Sequence, residues 1–297
     1  MVMHKEAIEQ LRKLDLSKYP KEEIHSLIRK FGKFGAVAFD LHPGKVLMRA
    51  RSNEPGKTFT SRSDLSYKPP AFNKSYQRAS TPDQTMFYAG TIPENIPIDE
   101  LDNARFIAAL EASNLLRDNV PDGEQLITFS KWVVTKDIRL FAVCYYRDFI
   151  TKSSHTNELF NAYHAWAANL PADLKVRSIE VTEFMAGEFA KMPIRGDFDY
   201  MISAIFSEIF AYGKTDGVYF PSVRADAMGY NVAIAPEVAD SSLTLVAAGE
   251  CTIYKKGDHT IVDNETVCLI DDDSKPFSFK PISPEHHIGR ENVIKIL

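Results

Sequence analysis

The chain has 297 residues, 44% of them hydrophobic and 25% charged, with a net charge of −5 at pH 7. This is an ordinary globular composition, long enough for one large domain with extensions or for two smaller ones, and its negative balance does not favour bulk nucleic acid or an anionic membrane surface as a partner. The N-terminus, Met1-Val2-Met3-His4-Lys5-Glu6, lacks an apolar signal core, no run approaches the roughly 20 apolar residues of a membrane span, and the scattered cysteines Cys144, Cys251 and Cys268 read as buried thiols of a reducing compartment, so a cytoplasmic protein is expected.

Two helices are predicted first. Residues 6–14 place Ile8, Leu11 and Leu14 at helical spacing. A second helix opens at Pro20, with Glu22 and Glu23 near the positive end of its dipole. It carries Ile24, Leu27, Ile28 and Phe31 as an apolar stripe and stops at Gly32. Residues 1–40 thus read as an N-terminal helical extension packed on the main domain, with a partner-binding arm as the alternative. Strands follow over 36–41 and 45–51, separated by Pro43-Gly44. Residues 52–82, rich in Ser, Pro, Lys and Asn, read as a loop of a length that is uncommon inside a domain and often functional. A strand at 85–89, a proline-punctuated connection at 92–98 and a strong helix at 99–118 come next. Strands are expected at 126–135 and 138–146, helices at 157–169 and 197–212, the latter ended by Gly213, and strands at 217–220, 231–235 and 243–254. The last forty residues are polar, with short strand pieces. The fold expected is α+β, with a main domain over 41–255 and a C-terminal extension over 256–297 packed on its core.

The charge is uneven. Residues 41–90 hold eight lysines and arginines against three acids, a surplus of five, so the remainder carries −10. A positive pool beside a long loop suggests a pocket for an anionic small molecule. Within it, Arg78 offers a planar, permanently charged fork suited to phosphate, and Tyr88 offers a stacking face and a hydroxyl. On the helix that follows, Ala104, Ile107, Ala108, Asn114 and Leu115 share a face with Glu111, so that carboxylate must be paired, protonated or set in a cleft. Positioned carboxylates stabilise oxocarbenium-like transition states. Ser222, ending the strand-like run Asp216 to Pro221, and Asn231, opening the next strand, could converge on a ligand from neighbouring strand ends. Other chemistries lack their motifs. Gly56-Lys57-Thr58 would need a glycine where Arg51 stands to form a phosphate loop. No Gly-x-Gly-x-x-Gly follows a strand, no Gly-x-Ser-x-Gly occurs, and the histidines lack metal-ligand spacing, His286-His287 being an isolated pair. No metal or cofactor is expected.

In this order the residues resemble the RES domain, named for an arginine, a glutamate and a serine and found as the toxin half of bacterial Xre–RES toxin–antitoxin modules. The family's opening arginine strand is similar to Leu47-Met48-Arg49-Ala50-Arg51. Its Gly-Arg-x-Asn-x-Pro segment is similar to Gln77-Arg78-Ala79-Ser80-Thr81-Pro82, and its tyrosine, ten residues after that arginine, matches Tyr88. Its helix-borne glutamate matches Glu111, and its later serine and asparagine match Ser222 and Asn231. Gln77 and Ser80 stand where glycine and asparagine are usual, Ala89-Gly90 where small hydroxyl residues are usual, and an insertion lies between Thr91 and Arg105. The resemblance, over roughly 45–250, implies an ADP-ribosyltransferase-like mixed β core and NAD as substrate, with the nicotinamide–ribose bond cleaved by hydrolysis or phosphorolysis. Transfer of ADP-ribose to a protein and a non-catalytic binding module are the alternatives. It implies catalytic roles for Arg78, Tyr88 and Glu111 and NAD-binding roles for Arg49, Arg51, Ser222 and Asn231. The partner implied is an Xre-type helix-turn-helix antitoxin, and a homodimer is the oligomer considered.

Overall fold

The computed structural model describes residues 3–82, 84–91, 104–117, 120–143, 147–210, 214–225 and 229–296. Its strands are β1 Val37–Leu41, β2 Val46–Ser52, β3 Phe87–Thr91, β4 Asp122–Val134, β5 Ile138–Ala142, β6 Gly217–Pro221, β7 Tyr230–Ile234, β8 Leu243–Lys256, β9 His259–Leu269 and β10 Lys280–Pro281. The helices are α1 Met3–Lys13, α2 Lys21–Arg29, α3 Arg62–Leu65, α4 Ala104–Ala112, α5 Asn114–Arg117, α6 Arg147–Ile150, α7 Ser154–Ala167, α8 Ala172–Phe189, α9 Met201–Phe210, α10 Pro236–Ser242 and α11 Arg290–Ile296. The fold is α+β. No helix among the described residues is long and apolar enough to cross a membrane.

All ten strands form one sheet in the order β1-β5-β6-β7-β3-β2-β4-β8-β9-β10. Its neighbours run antiparallel except β5 and β6. The sheet is nearly split in the middle. β3 pairs with β7 from Phe87 to Thr91, and β2 pairs with β4 from Val46 to Ser52, yet among the described residues β2 and β3 meet in a single register pair, Met48 with Gly90. On either side of that pair the contacts are made by side chains, Thr91 Oγ1 to the Val46 carbonyl (3.4 Å) and Arg49 to the Tyr88 carbonyl, and this weakly paired junction is a seam.

Alternation along the strands sends side chains to two faces. On one face of the β1-to-β3 half, Phe141, Val218, Phe220 and Ala233 pack with Leu11, Ile24, Phe31, Val181 and Ile205 of the helices. On the same face of the other half, Ile127, Phe129, Cys251 and Ile253 pack under Ala108, Ala109 and Leu115. The opposite face buries Leu47, Phe87, Trp132, Tyr219, Tyr230 and Val232. Two helical groups therefore cover one face of the sheet, and α4 packs on both strands of the seam, β2 and β3.

The opening helices form where their stripes predict, and Gly32 follows α2 with a positive φ of 65°. They share one apolar cluster with β5, β6 and β7, while β1 straddles the expected boundary at residue 40. The helix expected over 99–118 is corrected. Residues 99–103 lie outside the described ones, and from Ala104 the helix is broken at Ser113. The Ser113 hydroxyl accepts the Leu116 N–H (3.1 Å) and donates to Gln125 Oε1 (2.7 Å), starting α5 as a new helix. The long α8 was not expected. Its buried face includes Ser178 and Thr182 as well as Val181, Phe184, Met185 and Phe189, so the apolar period is interrupted in sequence. Of the short strand pieces expected near the C-terminus, the two-residue β10 is one, while the 11-residue β9, which pairs with β8, is longer than expected. Cys251 is buried, Cys268 is only half-buried, and Cys144 lies outside the described residues, as does the connection at 92–98.

Candidate functional site

The site is assembled around Tyr88. On β3, Phe87 and Ala89 face the core beneath the sheet, and Tyr88 faces the helical side. Its hydroxyl accepts the Ala79 N–H (3.0 Å) and meets Ser80 Oγ (2.8 Å). Residues 77–80 form a tight turn closed by reciprocal backbone bonds between Gln77 and Ser80. Tyr88 therefore pins the turn that carries Arg78. Burial pushes the Tyr88 phenol up to about 12, so the hydroxyl is neutral near pH 7.

The Arg78 guanidinium donates to the carbonyls of Phe189 and Lys191, at and just beyond the end of α8, and lies 5.1 Å over the Tyr200 ring. Carbonyls at a helix C-terminus lack intrahelical donors, and arginine satisfies them while complementing the dipole. Burial lowers the Arg78 pKa, and the group remains a cation.

Tyr200 ends a 3-10 turn over Asp197–Tyr200 whose anchor is the buried Asp199. The Asp199 carboxylate accepts from the Arg195 backbone N–H (2.9 Å), Nε (3.1 Å) and Nη2 (2.6 Å). The Arg195 side chain, first among several donors and charges, holds the Asp199 carboxyl below its ordinary value of 3.8. A lowered folded pKa means that this stabilisation is present above the unfolded value and is lost as pH falls through the folded one. Asp199→Asn is expected to cost about 1–2 kcal/mol at pH 7, toward the lower end because Arg195 is largely exposed. At pH 3 the cost should shrink. Urea unfolding at both pH values checks this, and an equal loss at both would contradict it.

Arg49 sits where β2 and β3 part. Its Nη1 donates to the Tyr88 carbonyl (2.6 Å) and its Nε to the Leu65 carbonyl (3.1 Å), with the guanidinium 5.5 Å over the Phe87 ring. A side chain here supplies a donor to a strand carbonyl at the point where the ladder stops. Burial brings the Arg49 pKa down to about 10, so it too stays charged at neutral pH.

Glu111 stands in the last turn of α4, where the helix dipole disfavours a carboxylate. Three side chains offset this. Ser222 Oγ and Asn231 Nδ2 each donate to Oε1 at 2.9 Å, and Arg224 Nε lies 3.3 Å from Oε2. Ser222 Oγ also accepts the Ala225 N–H (3.3 Å), which leaves its proton for Glu111. Helix α4 reaches this position because Gly90 has no side chain: a Cβ there would come within 3.0 Å of the Ala104 carbonyl and 3.3 Å of Ile107. Glu111 is thus both paired and in a cleft, its side chain 30% exposed.

Over the seam lies a cavity of about 310 Å³, at the small end of the range for ligand sites. Arg49, Arg78, Tyr88, Glu111 and Asn231 all line it. Ser222 is not in the lining and acts on it through Glu111. Arg51 is also outside the lining, because its guanidinium donates to the Asp64 carbonyl and stacks on Phe59, with 4.9 Å to the ring centroid. Sequence reasoning did not single out Arg224 or Tyr200. Arg224 follows Ser222 by two residues in the same strand-end run, a proximity that marks it only once Ser222 is known to meet Glu111. Arg78 and Arg224 line the cavity beside Glu111, an excess of positive charge suited to an anionic ligand, while the Arg49 guanidinium lies on the Phe87 and Leu65 side of the sheet. Among the described residues no group of His, Cys, Asp and Glu is arranged to hold a metal ion. No family model and no curated protein sequence matches the chain.

Proposed function

We propose that this cavity binds NAD and cleaves the bond between nicotinamide and ribose, as the resemblance to RES domains implies. The observation that carries this reading is Glu111, a carboxylate held on the wall of a positively charged cavity by Ser222, Asn231 and Arg224. The same residue types in the same order define the resemblance. On this reading the split sheet corresponds to an ADP-ribosyltransferase-like β core.

NAD and water give ADP-ribose, nicotinamide and a proton. The C1′–N bond breaks with its electron pair going to the pyridinium nitrogen, so nicotinamide departs neutral. A water oxygen bonds to C1′ and releases its proton. Glu111 stabilises the ribosyl cation electrostatically and orients a ribose hydroxyl. Arg78 and Arg49, locked by backbone carbonyls, supply fixed positive potential for the pyrophosphate and cost no reorganisation when the ligand arrives. The Tyr88 ring forms the wall on which nicotinamide or its ribose stacks. With phosphate as acceptor the product is ADP-ribose 1-phosphate.

The test is incubation of the folded protein with NAD, with and without phosphate, following NAD, nicotinamide and the ribosyl product. Loss of NAD with release of nicotinamide is expected. Absence of turnover under both conditions overturns the catalytic reading and leaves a binding module. Label from NAD appearing on protein assigns ADP-ribosyl transfer. A cytoplasmic setting and an Xre-type antitoxin covering the cavity complete the proposal, and co-expression with a neighbouring helix-turn-helix protein should relieve growth arrest.

A further inference from the structure

The three arginines of the cavity are not equivalent. Arg49 and Arg78 each give two N–H groups to backbone carbonyls, and both are held against aromatic rings. Arg224 reaches a titratable side chain inside the cavity, and does so loosely. Its closest approach to Glu111 is Nε to Oε2 at 3.3 Å, and its side chain is 20% exposed. Two other arginine–carboxylate pairs are two-pronged and closer, whereas Arg62 approaches Asp240 only to 3.7 Å. Arg139 meets Asp40 at 2.8 and 3.0 Å, and Arg290 meets Glu124 at 3.0 Å with both prongs. A single long contact forgoes the fork geometry that makes arginine–oxyanion pairs strong. A phosphate, with three oxygens and up to two charges, offers Arg224 that geometry.

From this we infer that Arg224 is the specificity-determining residue of the cavity: it exchanges Glu111 for the phosphate next to the reacting ribose, so the site recognises the mononucleotide half of its ligand and accepts nicotinamide mononucleotide as well as the dinucleotide. The inference rests on the NAD reading above. When Arg224 turns to the phosphate, Glu111 keeps its two neutral donors on Oε1, and its charge is no longer shared with Arg224. The ligand's own phosphate thus prepares the carboxylate. A riboside without phosphate is disfavoured twice. It is a cation entering a cavity where Arg78 and Arg224 outnumber Glu111, and it leaves the Glu111–Arg224 contact in place. The cavity volume of about 310 Å³ is in keeping with a ligand half of this size, the adenosine end extending beyond it.

The experiment is calorimetric titration of nicotinamide mononucleotide and of nicotinamide riboside into the wild-type chain, Arg224→Gln and Arg224→Lys. The wild type should bind the mononucleotide at least about tenfold more tightly than the riboside, as expected for a charge-assisted pair. Arg224→Gln should abolish most of that preference by weakening the mononucleotide, and Arg224→Lys should restore part of it. Equal affinity of wild type for both ligands, or a preference that survives Arg224→Gln, overturns the inference. These readouts need no turnover, so they stand apart from the NAD cleavage assay. Mononucleotide bound without NAD cleavage would sink the catalytic reading and keep this one. NAD cleaved without any phosphate preference would do the reverse.

Discussion

Glu111→Gln is expected to lower NAD cleavage by roughly a hundred- to a thousandfold, the range seen when one positioned electrostatic group is removed from a transition state. Most of the loss should fall on kcat, since in the proposed mechanism the carboxylate acts on charge that develops only as nicotinamide departs. The fold should persist. The glutamine carbonyl can still accept from Ser222 and Asn231, and its amide would face Arg224, which is exposed enough to turn toward water. The comparison needs initial rates at saturating NAD together with an unfolding curve. A variant that is folded and retains full kcat would remove Glu111 from the mechanism.

The largest effect on stability is expected at Arg49. Arg49→Met keeps much of the side-chain volume and removes the donors that serve the Tyr88 and Leu65 carbonyls. Leaving a buried carbonyl without a partner costs about 1–3 kcal/mol each. Relief from burying a cation returns part of that. A net loss of about 2–4 kcal/mol is expected, measured by denaturant unfolding. Arg49→Lys keeps the charge but cannot reach both carbonyls with one fork, so it should fall between the two. Stability unchanged in Arg49→Met would mean that the donors at the seam are dispensable.

Much of the site was legible because it is local. The apolar face of α4 could be read from Ile107 and Ala108, both now buried, and it marked Glu111 as the acid needing an explanation. The spacing from Arg78 to Tyr88 has a mechanical counterpart, since the Tyr88 hydroxyl holds the turn bearing Arg78. Ser222 and Asn231 were expected to converge from neighbouring strand ends, and they do so on Glu111. What stayed hidden is set by tertiary pairing. Arg224 meets Glu111 only because the chain leaving β6 arrives at the last turn of α4. The positive pool at 41–90 contributes two of its arginines to the cavity, and Arg51 is turned aside by a carbonyl of α3. Helix α8 was missed because serine and threonine occupy part of its buried face, and the break at Ser113 because one hydroxyl can end a helix that propensity would continue.

The seam has a consequence for how the molecule can be taken apart. The strands on its two sides are interleaved along the chain: β1, β3 and β5–β7 lie on one side, β2, β4 and β8–β10 on the other. The polypeptide must cross the divide repeatedly, so neither half is a contiguous stretch that could be expressed alone or moved into another scaffold. No single cut separates the strands of one side from those of the other. The cavity lining on the two banks, Arg49 on one and Tyr88 with Asn231 on the other, is therefore inherited as one indivisible unit, even though among the described residues the sheet beneath it is joined there by a single register pair.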